Sequence, residues 1–318
     1  MNDTQATPYA QPTHTTASHH MRPRADSFTI QDAGMATPKH TPEGRGYMSA
    51  LNYWSHKNDF WSMVSDQSGC SGPDVVDLWQ ANASAAGVAW HLVGAGYEEY
   101  LFRDEALRVL AAHPPSVPLL LFYAAHVGHF PLQVPQDAFE KTQLEPSVGD
   151  VTSCAGSTGP IWPGFGKNEN DTYSCRRQYH AMVNLLDTVV EQIHGQFVAK
   201  GMWNSTLMVF SSDNGGQAKW PNAAGANMPL RGGKYAPWEG GVRVAAFVSV
   251  SPVDTPARYA VDPWVATVTQ GSTASIKGAS ARFPQTPCKI LTVCSMSEVA
   301  GALGDRPPPT GVLHCEPL

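Results

Sequence analysis

Asp213 and Asn214 place two oxygen ligands side by side at the end of the apolar segment TLMVFSSD, which spans 206–213. Carboxylate and amide oxygens suit a hard cation, Ca²⁺ or Mg²⁺, better than zinc. Gly215 and Gly216 follow and allow the backbone to turn sharply. The same residues fit an Asx turn, and two ligands alone do not hold an ion. From spacing alone both interpretations stay open.

Two histidines follow another apolar segment, PLLLFYAAH at 118–126. An imidazole at this position could donate to an anionic oxygen or protonate a leaving group, and His129 is the candidate for that role. The alternative is a packed, hydrogen-bonded histidine. We expect that structural role for His126, because it lies nearer to the predicted strand.

Positive charge comes from Lys234 and Arg231, in the glycine-rich segment PLRGGKYAPWEGGVR at 229–243. The glycines allow the backbone to approach a ligand, and either cation could bind an anion. A lysine on a solvated surface is the alternative. Together with the Asp-Asn pair and His129, these side chains describe a pocket for an oxyanion ester, either a sulfate or a phosphate.

Strand and helix patterns alternate around these candidate residues. Continuous apolar runs predict buried strands at 118–126, 206–213 and 243–250. Apolar residues at helical spacing predict helices over 97–112 and 175–200. This alternation is typical of βαβ units and predicts an α/β fold with a mainly parallel sheet. Ligands bind at the carboxyl ends of such strands, where the candidate residues lie.

The composition excludes several classes of protein. The 318 residues are 42% hydrophobic and 15% charged, with a net charge of −6, unlike a highly charged disordered chain. No Lys/Arg run is present to displace counterions from phosphates, so nucleic acid is not an expected partner. No apolar run approaches about 18 residues, so the sequence predicts no membrane span.

Three regions are predicted along the chain. Residues 1–31 are a polar tail rich in His, Thr and Pro, which we expect to be disordered. Residues 32–252 form the folded domain, and 253–318 form an irregular tail of weak periodicity. The first residues lack the basic start and apolar core of a signal peptide, so the sequence assigns no location.

Some residues are open to covalent modification. Cys154 and Cys175 bracket an insert rich in Gly, Pro and Asn, and a disulfide between them would stabilise it by about 3 kcal/mol. Two unpaired thiols are the alternative. Sequons at Asn82, Asn170 and Asn204 are compatible with glycosylation.

Several stretches resemble the sulfatase family of the alkaline-phosphatase-like superfamily, and arylsulfatase B-type enzymes in particular. The phrases SSDNGG and PLRGGK…WEGGVR are the most specific. The matching stretches are GMATPKHTPEGRGY at 34–47, GYEEYLFRDEAL at 96–107, PLLLFYAAHVGHFPLQVP at 118–135, the YHAMVNLLD helix, GMWNSTLMVFSSDNGGQ at 201–217 and NMPLRGGKYAPWEGGVRVAAFVS at 227–249.

The resemblance implies a fold and a set of roles. The fold would be an α/β sandwich of the alkaline-phosphatase type, incomplete here. Asp213 and Asn214 would be metal ligands, normally for Ca²⁺, with Mg²⁺ as the alternative. His129 and Lys234 would contact a sulfate ester and help its alcohol depart, and Arg231 would add to the binding of the anion. The implied ligand is a small sulfate ester or a sulfated glycan, and members of the family are usually secreted or lysosomal.

The sequence also departs from the family. Sulfatases use a cysteine in a C-x-P-S-R or C-x-A-S-R motif, oxidised to formylglycine, and no cysteine here stands in such a motif. The upstream Asp-Asp pair of the metal site is absent, and Ile30 stands where the family has a sulfate-binding lysine. We therefore expect a fragment that is inactive or nearly so. A non-catalytic binder of sulfated glycans is the alternative. We also expect an uncovered parallel sheet edge and poor soluble expression.

Overall fold

Eight strands form one sheet in the computed structural model, which describes residues 24–28, 37–55, 57–65, 75–143, 162–164, 175–217, 225–250 and 289–295. The spatial order of the strands is 4-3-2-1-5-8-6-7 in chain numbering. The strands are β1 (Arg24–Phe28), β2 (Ser49–Asn52), β3 (Trp79–Ala81), β4 (Ala86–Val88), β5 (Leu119–Ala125), β6 (Thr206–Ser212), β7 (Ala246–Val250) and β8 (Lys289–Ser295). The helices are α1 (Glu98–Ala112), α2 (Gln136–Lys141), α3 (Cys175–Ala199) and the short α4 (Glu239–Val242).

The sheet is parallel in its middle and antiparallel at both sides. β1 pairs in parallel with β2 and β5, and β8 pairs in parallel with β5 and β6. β3 and β4 run antiparallel to their neighbours, as does β7, which the sequence places in a parallel sheet. The only helix described between β6 and β7 is α4, and an antiparallel return needs no long crossover helix.

Two strands lie where the sequence analysis expects tails. β1 falls within residues 1–31, yet it pairs with neighbours on both sides through registers such as Asp26↔Ser49 and Asp26↔Leu121. β8 falls within 253–318 and occupies the place between β5 and β6. The segment RADSF carries little apolar signal, so its pairing comes from its neighbours rather than from its own composition.

The expected uncovered parallel edge is not found in the described sheet. Its two outer strands are β4, with three residues, and β7, with five, and both pair antiparallel. Short edge strands limit pairing with other chains. The other limits of the expected regions, and the expected poor solubility, stay predictions.

Helices α1 and α3 pack together beside the sheet, close to their predicted limits. The stripe of α3 that includes Met182, Leu186, Val189 and Ile193 is buried, which explains the helical spacing of its apolar residues. The helix stops where Gly201 adopts a left-handed φ of 65°, with the N–H of Gly201 donating to the Val198 carbonyl. No helix of the described residues is long and apolar enough to cross a bilayer.

Cys175, at the start of α3, is fully buried and disulfide-bonded. Its expected partner, Cys154, lies outside the described residues. Of the six cysteines, only Cys175 has a described side chain.

Candidate functional site

Three parallel strands end at the same level of the sheet. The register aligns Ala125 of β5, Ser295 of β8 and Ser212 of β6. His126 and Asp213 are the next residues, two strands apart, which corresponds to about 10 Å across the sheet. The two predicted strand exits therefore lie on one edge, as expected for carboxyl ends of parallel strands.

Tyr53, directly after β2, packs against the exit of β5. Its ring centroid lies 4.6 Å from that of His126, and the side chain is 1% exposed. Burial raises the pKa of Tyr53 well above its usual value, and the charges of Glu98, Glu99, Asp77 and Asp213 raise it further.

The turn after β6 is fixed by local hydrogen bonds. The Asn214 N–H donates to Asp213 Oδ1 at 2.8 Å, and the Asn214 side chain donates to the Gly215 carbonyl at 3.1 Å. Asn214 is 5% exposed and Asp213 is half-buried. A Cβ on Gly215 would lie 2.0 Å from the Gly240 carbonyl oxygen, so only glycine fits where this turn meets α4.

The turn after β6 offers two side chains, Asp213 and Asn214, as ligands for a hard cation. Ca²⁺ takes six to eight oxygens and Mg²⁺ six. Within the described residues no group of three or more His, Cys, Asp and Glu side chains could hold a metal ion. Asp213 and Asn214 have the right donor chemistry but do not suffice in number, so no chemical step is derived through an ion.

Asn227 holds the loop between β6 and α4 against the turn. Its Oδ1 accepts the Gly216 N–H at 2.8 Å, and its Nδ2 donates to the carbonyls of Gly216 and Gly232 at 2.7 and 3.1 Å. The Lys234 N–H also donates to the Gly216 carbonyl, at 3.0 Å. Lys234 is thus tied to the turn that carries Asp213. The sequence analysis missed Asn227, because an asparagine in a loop carries no distinctive spacing.

The two candidate cations lie beside aromatic rings. The guanidinium carbon of Arg231 is 3.7 Å from the centroid of the Trp238 ring, and Lys234 Nζ is 5.6 Å from that of Tyr235. Arg231 is exposed and Lys234 is half-buried. Within the described part of the chain neither cation forms a salt bridge, so both charges are available to an anion.

His129 is half-buried and lies one turn past the end of β5. Its Nδ1 lies 2.8 Å from the Phe130 carbonyl oxygen, a contact that favours the tautomer with the proton on Nδ1. Its ring centroid is 6.1 Å from that of His126. These ring contacts bring His129, His126 and Tyr53 together at the end of β5.

Behind these histidines lie two acids that the sequence analysis missed. Glu98 and Glu99 are fully buried in the first turn of α1. Glu98 contacts His126 Nδ1 and accepts from Asn58 Nδ2, both at 2.7 Å. Glu99 accepts from the Tyr123 hydroxyl and from the N–H groups of His126 and Val127. The only signal in the sequence is an acidic pair at the start of a helix. Such a pair is usually exposed to solvent and stabilises the helix through its dipole.

Burial raises the pKa of both acids. The pKa of Glu98 lies well above its ordinary value despite the hydrogen bond from Asn58. The pKa of Glu99 rises to about 7, because desolvation outweighs the hydrogen bonds from Tyr123, Val127 and His126. Each carboxyl of the pair thus gains a proton more readily than an exposed glutamate does.

One expected departure lies outside the described residues: Ile30, at the position where the resemblance implies a lysine. Cys175 is disulfide-bonded, so it is not available as a nucleophile.

Comparisons with known proteins identify the family of the chain through a family model. A family model described as Sulfatase matches residues 23–270. Arylsulfatase J from Mus musculus is 30% identical over 209 residues, which is 65% of this chain and 29% of that protein. A crystal structure of Ps i-CgsB in complex with k-i-k-neocarrahexaose shares 20% identity at a TM-score of 0.50, covering 72% of this chain and 45% of the other. A second structure of Ps i-CgsB, also at 20% identity, has a TM-score of 0.49 and covers 75% and 46%. The chain thus spans less than half the length of each of these proteins.

Proposed function

The chain belongs to the sulfatase family, and from that membership we propose that its described residues form part of a site for sulfate esters. The family model covers more than three quarters of the chain. Hydrolysis of sulfate esters is the chemistry that this membership supports. Because the chain spans only part of its relatives, its own activity and ligand are part of the proposal.

One observation carries the proposal: Arg231 and Lys234 form no salt bridge within the described residues, yet their loop is bonded to the turn after β6. A sulfate ester keeps one negative charge, and its oxygens accept hydrogen bonds from guanidinium and ammonium groups. Such charge-assisted bonds are roughly twice as strong as neutral ones. The two cations would hold the ester group at the carboxyl edge of the sheet.

We assign His129 the contact with the alcohol side of the ester. With Nδ1–H on the Phe130 carbonyl, the imidazolium form of His129 would give the proton on Nε2 to the oxygen that leaves as the S–O bond breaks, and the ring would end neutral. The bond to sulfur must be made at the same time by a nucleophile. The 318 residues contain no C-x-P-S-R or C-x-A-S-R motif, and loss of a nucleophile lowers turnover by several orders of magnitude. We therefore propose binding with very slow turnover.

The alternative is a non-catalytic binder of sulfated glycans. It uses the same cations and is favoured by the same missing motif. The two candidates differ in whether any product forms at all.

We also propose that the chain works in an oxidising compartment. The disulfide at Cys175 supports this, because such bonds persist outside reducing cytosol. Mass spectrometry of alkylated protein purified from its own cells tests it. A fully alkylated Cys175 would contradict the proposal.

The test of function combines calorimetry with a product assay. Titration with 4-nitrophenyl sulfate is expected to show binding that Lys234→Ala weakens at least tenfold, since one charged hydrogen bond contributes about 1.5–3 kcal/mol. Lys141→Ala is the matched control, because this lysine is on α2 with its side chain 77% exposed. Release of 4-nitrophenol should stay far below ordinary enzyme rates.

Two results would contradict the proposal. Equal affinity of the Lys234→Ala variant and the unchanged protein would show that this cation does not bind the ester. Turnover at ordinary enzyme rates that survives substitution of every cysteine would show that another nucleophile operates.

A further inference from the structure

We propose that Tyr235 and Trp238, with Arg231 and Lys234, form a platform that binds an oligosaccharide carrying more than one sulfate. The inference rests on the proposed function, because it assumes that the two cations bind sulfate groups. It adds that the ligand carries more than one sulfate, and it names the aromatic residues that select such a ligand.

The loop between β6 and α4 exposes several large hydrophobic side chains to solvent. Met228 is 91% exposed, Tyr235 73% and Trp238 45%. Three of the seven large hydrophobic side chains that are exposed in the described part of the chain therefore fall between residues 228 and 238. Clustered apolar surface with polar neighbours is typical of a binding site, whereas single exposed residues need no explanation.

Backbone hydrogen bonds order this loop before any ligand binds. The Gly240 N–H donates to the Arg231 carbonyl at 2.8 Å, and the Gly241 N–H to that of Trp238 at 2.7 Å. Gly232 has a φ of 85° and lies so close to Trp238 that a Cβ there would be 2.9 Å from the Trp238 Cβ. A surface already ordered loses little conformational entropy on binding.

Tyr235 has a backbone conformation that disfavours a bulky residue. Its φ is 72°, in the left-handed region that glycine and asparagine tolerate best. Strained backbone of this kind is concentrated at functional sites. Because the Tyr235 ring is largely exposed to solvent, packing against the described residues does not offset this strain.

The platform contains two similar units. Arg231 stacks on Trp238 at 3.7 Å, and Lys234 lies 5.6 Å from Tyr235. Each unit offers a ring face for the C–H face of a sugar and a cation for a sulfate oxygen. A monosulfated aryl ester presents one sulfate to both cations, whereas a chain of sulfated sugars presents one sulfate to each unit. The net charge of −6 argues against a polyanion held by bulk charge alone.

The test titrates a sulfated galactan hexasaccharide, its desulfated counterpart and sodium sulfate into the full chain. The sulfated hexasaccharide is expected to bind at least tenfold more tightly than sodium sulfate. Tyr235→Ala should weaken hexasaccharide binding about tenfold, which corresponds to the loss of one aromatic contact, and should weaken sodium sulfate binding less. Tyr235→Phe should retain the affinity, because it keeps the ring.

Trp90→Ala is the matched control. Trp90 is 68% exposed between β4 and α1, beside the opposite edge of the sheet, so its loss should change nothing. If Tyr235→Ala also leaves hexasaccharide affinity unchanged, the proposed platform is wrong, and the proposed sulfate site is not affected by that result. The platform is also contradicted if the sulfated hexasaccharide binds no more tightly than sodium sulfate. It is contradicted equally if the desulfated hexasaccharide binds as tightly as the sulfated one. If neither sulfate ligand binds, the proposed function fails and this inference falls with it.

Discussion

Nδ1 of His126 lies 2.7 Å from Oε2 of Glu98, and both side chains are fully buried. The contact joins the residue after β5 to the first turn of α1. Phe60 stacks on the His126 ring with centroids 4.0 Å apart, so the imidazole is fixed from two directions. The pair thus anchors the segment that carries His129.

Removal of one partner should destabilise the fold. Glu98→Ala is expected to lower the free energy of unfolding by about 3 kcal/mol, because it leaves polar groups of His126 and Asn58 buried without their carboxylate. Glu98→Gln should cost less, since its amide still accepts one hydrogen bond. Urea unfolding monitored by circular dichroism measures both. Asp104→Asn on the same helix is the control, with a side chain 60% exposed. An Ala variant as stable as that control would contradict the anchoring role.

The buried acids should also make the fold more stable in acid. The folded-state pKa of Glu99, about 7, exceeds its ordinary value of 4.5, so the folded state binds the proton more tightly. Its contribution is therefore fully present below pH 4.5 and is lost as the pH rises through about 7. The pKa of Glu98 is shifted in the same direction. The loss due to Glu99 is on the order of 3 kcal/mol.

Melting temperatures between pH 4.5 and 8 measure this effect. Glu99→Gln should flatten the profile, because the amide does not titrate. Glu140→Gln on exposed α2 should leave it unchanged. A wild-type profile that rises toward pH 8 would refute the assigned direction.

Elements with a strong apolar pattern were predictable from sequence alone. β5, β6 and α3 are each close to their predicted limits, because their side chains are buried in the pattern that the sequence carries. β1 was not predictable, since RADSF becomes a strand through pairing with β2 and β5. Propensity is a weak guide when neighbours supply the hydrogen bonds.

The candidate site likewise contains residues that the sequence predicts and residues that it does not. Its charged residues stand out in sequence because Asp213, His129 and Lys234 follow strands or lie among glycines. Their supports do not stand out: Glu98 lies in an amphipathic helix, and Asn227 in an irregular loop. Their role depends on contacts 28 and 11 residues away along the chain, which local spacing does not encode.

Asn227 should control how well ordered the loop between β6 and α4 is, and this loop carries Arg231 and Lys234. Asn227→Ala removes three hydrogen bonds to Gly216 and Gly232, at a cost of about 1–3 kcal/mol in stability. Amide hydrogen exchange should speed up across 225–242, and sulfate-ester affinity should fall with it. Asn184→Ala is the control, because that side chain lies on α3 and donates to Thr142 Oγ1, outside this loop. Unchanged exchange in the loop would show that other contacts order it.

Gly215 tests the close approach between the turn after β6 and α4. Gly215→Ala would place a Cβ 2.0 Å from the Gly240 carbonyl oxygen, a backbone atom that has no side-chain freedom to move aside. The turn must therefore shift, which we expect to cost about 1–3 kcal/mol and to displace Asp213 and Asn214. Gly195→Ala is the matched control within α3, where a Cβ would meet nothing within 4 Å. That change should stabilise the helix by up to about 1 kcal/mol. Chemical denaturation distinguishes the two variants by the sign of the effect. If Gly215→Ala is neutral, the close approach of Gly215 to the Gly240 carbonyl is wrong.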